Sequence, residues 1–205
     1  MSDLPKTLLK MVGAESKPST LKESVLVLID IQNEYLPDGN APLENVESAI
    51  EESSKLLKRA RDLNIPIVHV AHHGPPGKGF FDPEAKGGEF CDSVKPLESE
   101  YIVKKNYVSS FVGTNMKEIL ENTGKKELIV IGFMTHNCLN TFVRAATEEH
   151  GFKCTVVGSC TATRDLPSRT KNGQLVKAKD LQESSLASLL DYFACVVDRI
   201  DEIAD

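Results

Sequence analysis

Residues 127–151 read ELIVIGFMTHNCLNTFVRAATEEHG, and the change of period inside that stretch decides the fold. Glu127 to Phe133 is an almost unbroken apolar run, the pattern of a strand covered on both faces. Beyond it Leu139, Phe142, Val143 and Ala146 recur at i, i+3, i+4 and i+7, one apolar face of a helix predicted over 137–150. Gly151 then suits the left-handed residue that closes such a helix. Working outward, the same alternation repeats. Upstream lie a buried strand in ESVLVLIDIQ (23–32), a helix over 45–63, a second strand in IPIVHVA (65–71), a short strand at 101–104 and a helix over 114–122. Downstream, KCTVVGS (153–159) predicts a strand, 178–192 a helix, and ACVVDRI (194–200) a closing strand. Run-type strands alternating with helices predict an α/β fold, a parallel sheet sandwiched by helices. Residues 1–20 are a polar lead-in, a short helix and a linker, and 21–205 form the domain.

Composition narrows the class. A chain of 205 residues, 40% hydrophobic and 26% charged, can bury one substantial core. The net charge is −6 and the lysines are scattered, which argues against a nucleic-acid partner, since phosphate binding needs clustered positive charge. No apolar stretch approaches the roughly 20 residues that span a bilayer, so no membrane partner is expected. The first residues carry Asp3 and interrupting lysines in place of an apolar leader, which predicts a cytoplasmic protein. The cysteines are odd in number (Cys91, Cys138, Cys154, Cys160, Cys195) and show no metal spacing, so reduced thiols are expected.

In parallel α/β sheets the ligand crevice lies beyond the carboxyl ends of the strands. Asp30 ends the first strand, with Gln32, Asn33 and Tyr35 just after it; as plain structure, Asp30 would cap a turn. One of Lys104 and Lys105 should face the crevice and the other solvent. Cys138 falls at the strand-to-helix elbow, where free N–H groups and the helix dipole favour an anion, so an acidic thiol is expected there. The bland alternative is a buried structural cysteine. His72 and His73 open a long Gly/Pro-rich loop, residues 72–90, and are candidates to line the site. His69 reads as packing, His150 as a helix-end residue, and His136 as too constrained by the turn to pair with Cys138. No GxGxxG is present, which counts against dinucleotide binding.

Taken together these pieces resemble the isochorismatase-like hydrolases, the superfamily that includes nicotinamidases and N-carbamoylsarcosine amidohydrolase. VLVLIDIQNEY, KNYVSSFVGTNMKEIL, GFMTHNCLNTFVRAATEEHGF and LQESSLASLLDYFACVV carry the resemblance, over about 24–203. It implies a three-layer α/β/α, Rossmann-like sandwich around a six-stranded, mainly parallel sheet. It implies a catalytic triad of Asp30, Lys105 and Cys138, with Lys105 chosen over Lys104 by register. Backbone amides of Met134 and Cys138 would form the oxyanion hole, with a cis peptide before Met134. Gln32, Tyr35, His72, His73 and Thr135 would line or support the substrate pocket. A homodimer or homotetramer is implied.

Departures narrow the chemistry. Nicotinamidases carry a metal-binding Asp-x-His after the second strand, where this chain reads Ala71-His72-His73, so no metal and no cofactor are expected. Isochorismatases that cleave a vinyl ether typically lack the cysteine. The expectation is a hydrolase cutting a C–N bond of a small amide, carbamoyl or ureido substrate. The alternatives are isochorismate hydrolysis releasing pyruvate, and a thiol binding or redox module without turnover.

Overall fold

The computed structural model describes residues 4–14, 17–170 and 173–205. In chain order the elements are α1 (Leu8–Met11), β1 (Ser24–Ile29), α2 (Val46–Asp62), β2 (Ile67–His72), β3 (Tyr101–Lys105), α3 (Met116–Asn122), β4 (Glu127–Phe133), α4 (Asn140–Glu148), β5 (Lys153–Ala162), β6 (Leu166–Pro167), β7 (Leu175–Val176), α5 (Ala178–Tyr192) and β8 (Ala194–Val197). Six strands form one sheet in the order β3-β2-β1-β4-β5-β8, and every pairing is parallel. The sheet is therefore wholly rather than mainly parallel.

The apolar runs explain the layers. Successive side chains of a strand point to opposite faces. In β1, Leu26 and Leu28 join a core with α2 residues such as Leu56 and Leu57. Val25, Val27 and Ile29 join the opposite core with Leu120 of α3, Phe142 and Val143 of α4, and Leu189 of α5. A strand buried on both faces cannot alternate with polar residues, which is why β1 and β4 read as runs. Because the chain passes from β1 to β2 on one side and later returns to β4 on the other, the order reverses between β1 and β4. A crevice opens there, beyond the strands' carboxyl ends. Gly132 lets the two strands close at that end: its φ is +113°, and a Cβ there would strike the carbonyl oxygen of its partner Ile29.

Several local expectations change. The helix after β4 starts at Asn140, behind a wider π turn over Thr135–Leu139. β5 runs on to Ala162, and a small antiparallel β6–β7 hairpin follows where only a loop was expected. The Gly/Pro-rich stretch includes a 3-10 turn at Lys86–Gly88 and a single bridge from Phe90 to Gln32. In the lead-in, the Leu8 amide donates to Asp191 of α5, and Ser19 is buried with its amide on Thr155 Oγ1, so these residues attach to the domain.

Candidate active site

Three loci meet at the reversal. Asp30 directly follows β1 at a left-handed φ of +50° and is fully buried. Non-glycine residues held there concentrate at functional sites. Lys105 ends β3, where the register sets it beside His72 of β2, and it is fully buried while Lys104 faces solvent. Cys138 sits in the π turn, 4% exposed. The peptide bond before Met134 is cis.

The Lys105 ammonium is the hub. Its Nζ lies 2.9 Å from His72 Nδ1, 3.1 Å from the Tyr107 carbonyl oxygen, 3.3 Å from Cys138 Sγ and 2.8 Å from Asp30 Oδ2. An ammonium has three hydrogens for these four neighbours. The better-aligned contacts are with His72, Tyr107 and Cys138, and Asp30 Oδ2 completes a close ion pair, its carboxylate also stabilised by hydrogen bonding from Lys105, the Cys138 thiol and the His72 amide. These contacts on Asp30 are poorly aligned, and neither oxygen has a well-aligned hydrogen bond among the described residues. A buried carboxylate left with open lone pairs is a strong acceptor for any proton brought to it.

The protonation states follow from this geometry. Burial raises the Asp30 carboxyl above its ordinary range, with the Lys105 charge opposing. Burial and the Asp30 charge push the Cys138 thiol up to about 12, against the pull of Lys105. The expected acidic thiol is thus corrected: the resting sulfur keeps its proton, because desolvation and a neighbouring anion outweigh one ammonium and the end of a helix. Burial and then the charges of Lys105 and His73 lower His72 to about 4. His72 is therefore neutral near pH 7, and since its Nδ1 accepts from Lys105, its Nε2 carries the hydrogen.

An isochorismatase domain model matches residues 24–201. The chain belongs to the isochorismatase family. It is 35% identical to the secreted isochorismatase effector Isc1 of Verticillium dahliae over 191 residues, covering 93% of this chain and 96% of that one. It is 29% identical to a maleamate amidohydrolase of Pseudomonas putida over 161 residues, 70% of this chain and 74% of that one. The crystal structure of an isochorismatase from Pseudomonas putida superposes with a TM-score of 0.90 at 36% identity, covering 95% of this chain and 97% of that one. The chain is accordingly a hydrolase of the isochorismatase family, whose members include amidohydrolases. One relative is named as secreted, so family membership does not by itself place a chain in the cytoplasm. No helix among the described residues is long and apolar enough to cross a membrane.

Within this isochorismatase-family site the other expected residues play distinct parts. Gln32 is fully buried: its Nε2 donates to the carbonyls of His72 and Gly88, and its Oε1 accepts from the His72 amide, so it clamps the backbone. Thr135 is likewise buried, its hydroxyl donating to the Ala162 carbonyl. The Tyr35 ring packs edge-on against Phe81 and Phe133. The half-buried His73 uses its backbone, its amide donating to the Lys105 carbonyl and its own carbonyl accepting from Asn106. His136 turns to the Thr163 hydroxyl, at 2.6 Å, and away from catalytic pairing. Asp30, His72 and Cys138 present ligand atoms within 4.8 Å of one another, a set that could hold a metal ion. The Lys105 ammonium contacts all three, so a cation already occupies their centre.

His72, expected to line or support the pocket, is a direct partner of Lys105, and the β2–β3 register is what brings the two together. One residue escaped the sequence reading. Arg164 lies just past β5 with its side chain exposed, and its charge acts on both Tyr35 and His136. Nothing in a lone arginine of a polar loop signals this.

Proposed function

We propose that this hydrolase cuts a C–N bond of a small amide, carbamoyl or ureido compound through a thioester on Cys138. The observation that carries the reading is the buried contact of one ammonium with a carboxylate at 2.8 Å and a thiol at 3.3 Å. Asp30 takes the thiol proton as the sulfur attacks the substrate carbonyl carbon. The backbone amides of Met134 and Cys138 receive the developing oxyanion, where one donor contributes about 3–4 kcal/mol. The protonated Asp30 then gives its proton to the departing nitrogen as the C–N bond breaks. A water loses its proton to Asp30 as it attacks the thioester, the C–S bond breaks, and Asp30 returns that proton to the sulfur, restoring the thiol and the ionised carboxylate. Lys105 stabilises the thiolate and the carboxylate by charge throughout, without moving a proton. His72 offers its Nε2 hydrogen to the substrate.

Arg164, exposed just past β5 with its charge acting on Tyr35 and His136, supports a substrate that carries negative charge. Supporting the expected homo-oligomer, Tyr101 and Ile102 on the edge strand β3, with Tyr107, Val108 and Val112 beyond it, are large apolar side chains left exposed.

The test is ammonia release from a panel of neutral and anionic amides, ureido acids and carbamoyl compounds. Wild type should turn over anionic members best, and Cys138→Ala should abolish release while far-UV circular dichroism stays unchanged. Full activity in Cys138→Ala would end the reading, and pyruvate from isochorismate would then be measured.

A further inference from the structure

A second carboxylate lies four residues beyond Asp30 and the triad makes no use of it. Glu34 is fully buried, yet among the described residues it has no cationic partner. Its oxygens are held only by N–H donors. Oε1 accepts from the amide and the side chain of Asn40, and Oε2 accepts from the Phe81 amide at 3.1 Å. Gly87 packs so closely that a Cβ there would meet Oε2. The buried carboxyl group thus fastens the Asn40 and Phe81 segments to the turn that follows Asp30, with Gly87 packed against it. A buried carboxyl group is costly unless its oxygens are hydrogen-bonded, so the donors it collects are held in place.

What it fixes is Phe81. This residue is 4% exposed and sits at φ +50°, a conformation that bulky side chains rarely adopt. Its amide is on Glu34 and its carbonyl accepts from the Gly74 amide. Held so, its ring meets His72 edge-on at 5.0 Å and Tyr35 at 5.2 Å, with Phe80 on its outer side at 4.8 Å. His72 touches the Lys105 ammonium, and Tyr35 lies within the field of Asp30 and Cys138. Through His72, whose ring nitrogen lies within 4.8 Å of Asp30 and Cys138 ligand atoms, the Phe81 ring is one side chain removed from the reacting groups.

We propose that Phe81 is the wall that sets the size of group admitted beside Cys138, and that Glu34 is a positioning residue acting through it. The proposal rests on the hydrolase site read above and adds its specificity. Glu34→Gln keeps the shape but replaces one acceptor oxygen with an NH2, which would face an N–H donor of Phe81 or Asn40. The segment would lose its fastening and the ring its fixed place.

The experiment reads the wall without requiring turnover. Alkylation of Cys138 by iodoacetamide and by the bulkier N-phenyl iodoacetamide is followed at alkaline pH by peptide mass spectrometry, and the ratio of the two rates is taken. Wild type should favour the small reagent. Phe81→Ala should raise the bulky-to-small ratio about tenfold, the scale at which small changes of pocket volume discriminate, and Phe81→Leu should raise it less. Glu34→Gln should shift the ratio in the same direction and add nothing in a Phe81→Ala background. Asn40→Ala, a surface change that removes one donor from Glu34, should give a smaller shift and serves if Glu34→Gln does not fold. An unchanged ratio in Phe81→Ala overturns the wall. A Glu34→Gln or Asn40→Ala effect that is absent, or that persists without the ring, overturns the positioning role. Absence of ammonia release with the expected ratios would fell only the amide reading; ammonia release with unchanged ratios would fell only this proposal.

Discussion

Strand β2 carries two histidines, buried His69 and half-buried His72, and each leads to a cluster of one acid and one base that behaves in the opposite way to the other. His69 Nε2 is 2.8 Å from Glu100, whose carboxylate also accepts two bonds from Arg61 and one from the Leu97 amide. Burial pushes Glu100 upward, but Arg61, the Leu97 amide and His69 outweigh it and bring it down to about 2. At the other end of the strand, His72 meets Lys105, and the paired Asp30 has no aligned hydrogen bond and a raised carboxyl. The same residue types thus give a saturated carboxylate that ties β3 to α2 and an unsaturated one open to a proton. Perturbation alone does not mark a reactive acid; unspent acceptor capacity does.

The largest effect that could break this contrast is on turnover. Asp30→Asn should lower kcat/KM by about 10³-fold or more, the scale of a positioned acid–base group. Glu100→Gln should leave kcat/KM within about twofold and lower unfolding stability by about 2 kcal/mol, as measured by urea denaturation. Equal losses of activity in both variants would dissolve the distinction. Next comes pH. In the proposed mechanism Asp30 takes the thiol proton and has to be ionised, so kcat/KM should rise with pH along a limb lying above the ordinary aspartate value of about 3.9. For Glu100 the folded pKa is depressed to about 2 from an unfolded value of roughly 4.3. Its contribution is therefore present above the unfolded value and lost as pH falls through the folded one. Glu100→Gln should flatten the stability curve in that acid window, and an unaltered curve would contradict the assignment. The smallest effect is at Lys104, the exposed neighbour of the hub: Lys104→Ala should change stability by no more than about 0.5 kcal/mol and kcat/KM hardly at all.

The layers of the fold were legible because β1 and β4 are buried on both faces, which leaves an unbroken apolar run in the sequence. The helix face built from Phe142, Val143 and Ala146 was legible for the same kind of reason. Asp30 and Cys138 could be singled out by their place at strand ends, whereas the choice of Lys105 over Lys104 came from the family resemblance. The proton on Cys138 was not legible, since desolvation by a folded core is a property of no single residue. Nor were the clamps: Gln32 and Glu34 spend their side chains on backbone groups of residues 40 to 88, pairings that leave no periodic trace. The β6–β7 hairpin is too short for an alternating pattern to register.

The all-parallel sheet has a kinetic consequence. Asp30, Lys105 and Cys138 lie at or beyond the ends of three strands, β1, β3 and β4, and of these only β1 and β4 pair directly. Lys105 reaches its place only through β2, and it stands 33 residues before the sulfur it touches. Parallel strands bring together segments distant in sequence, and such contacts form late. In a refolding experiment the helical signal should return first and hydrolysis last, making the activity itself a reporter of the completed sheet.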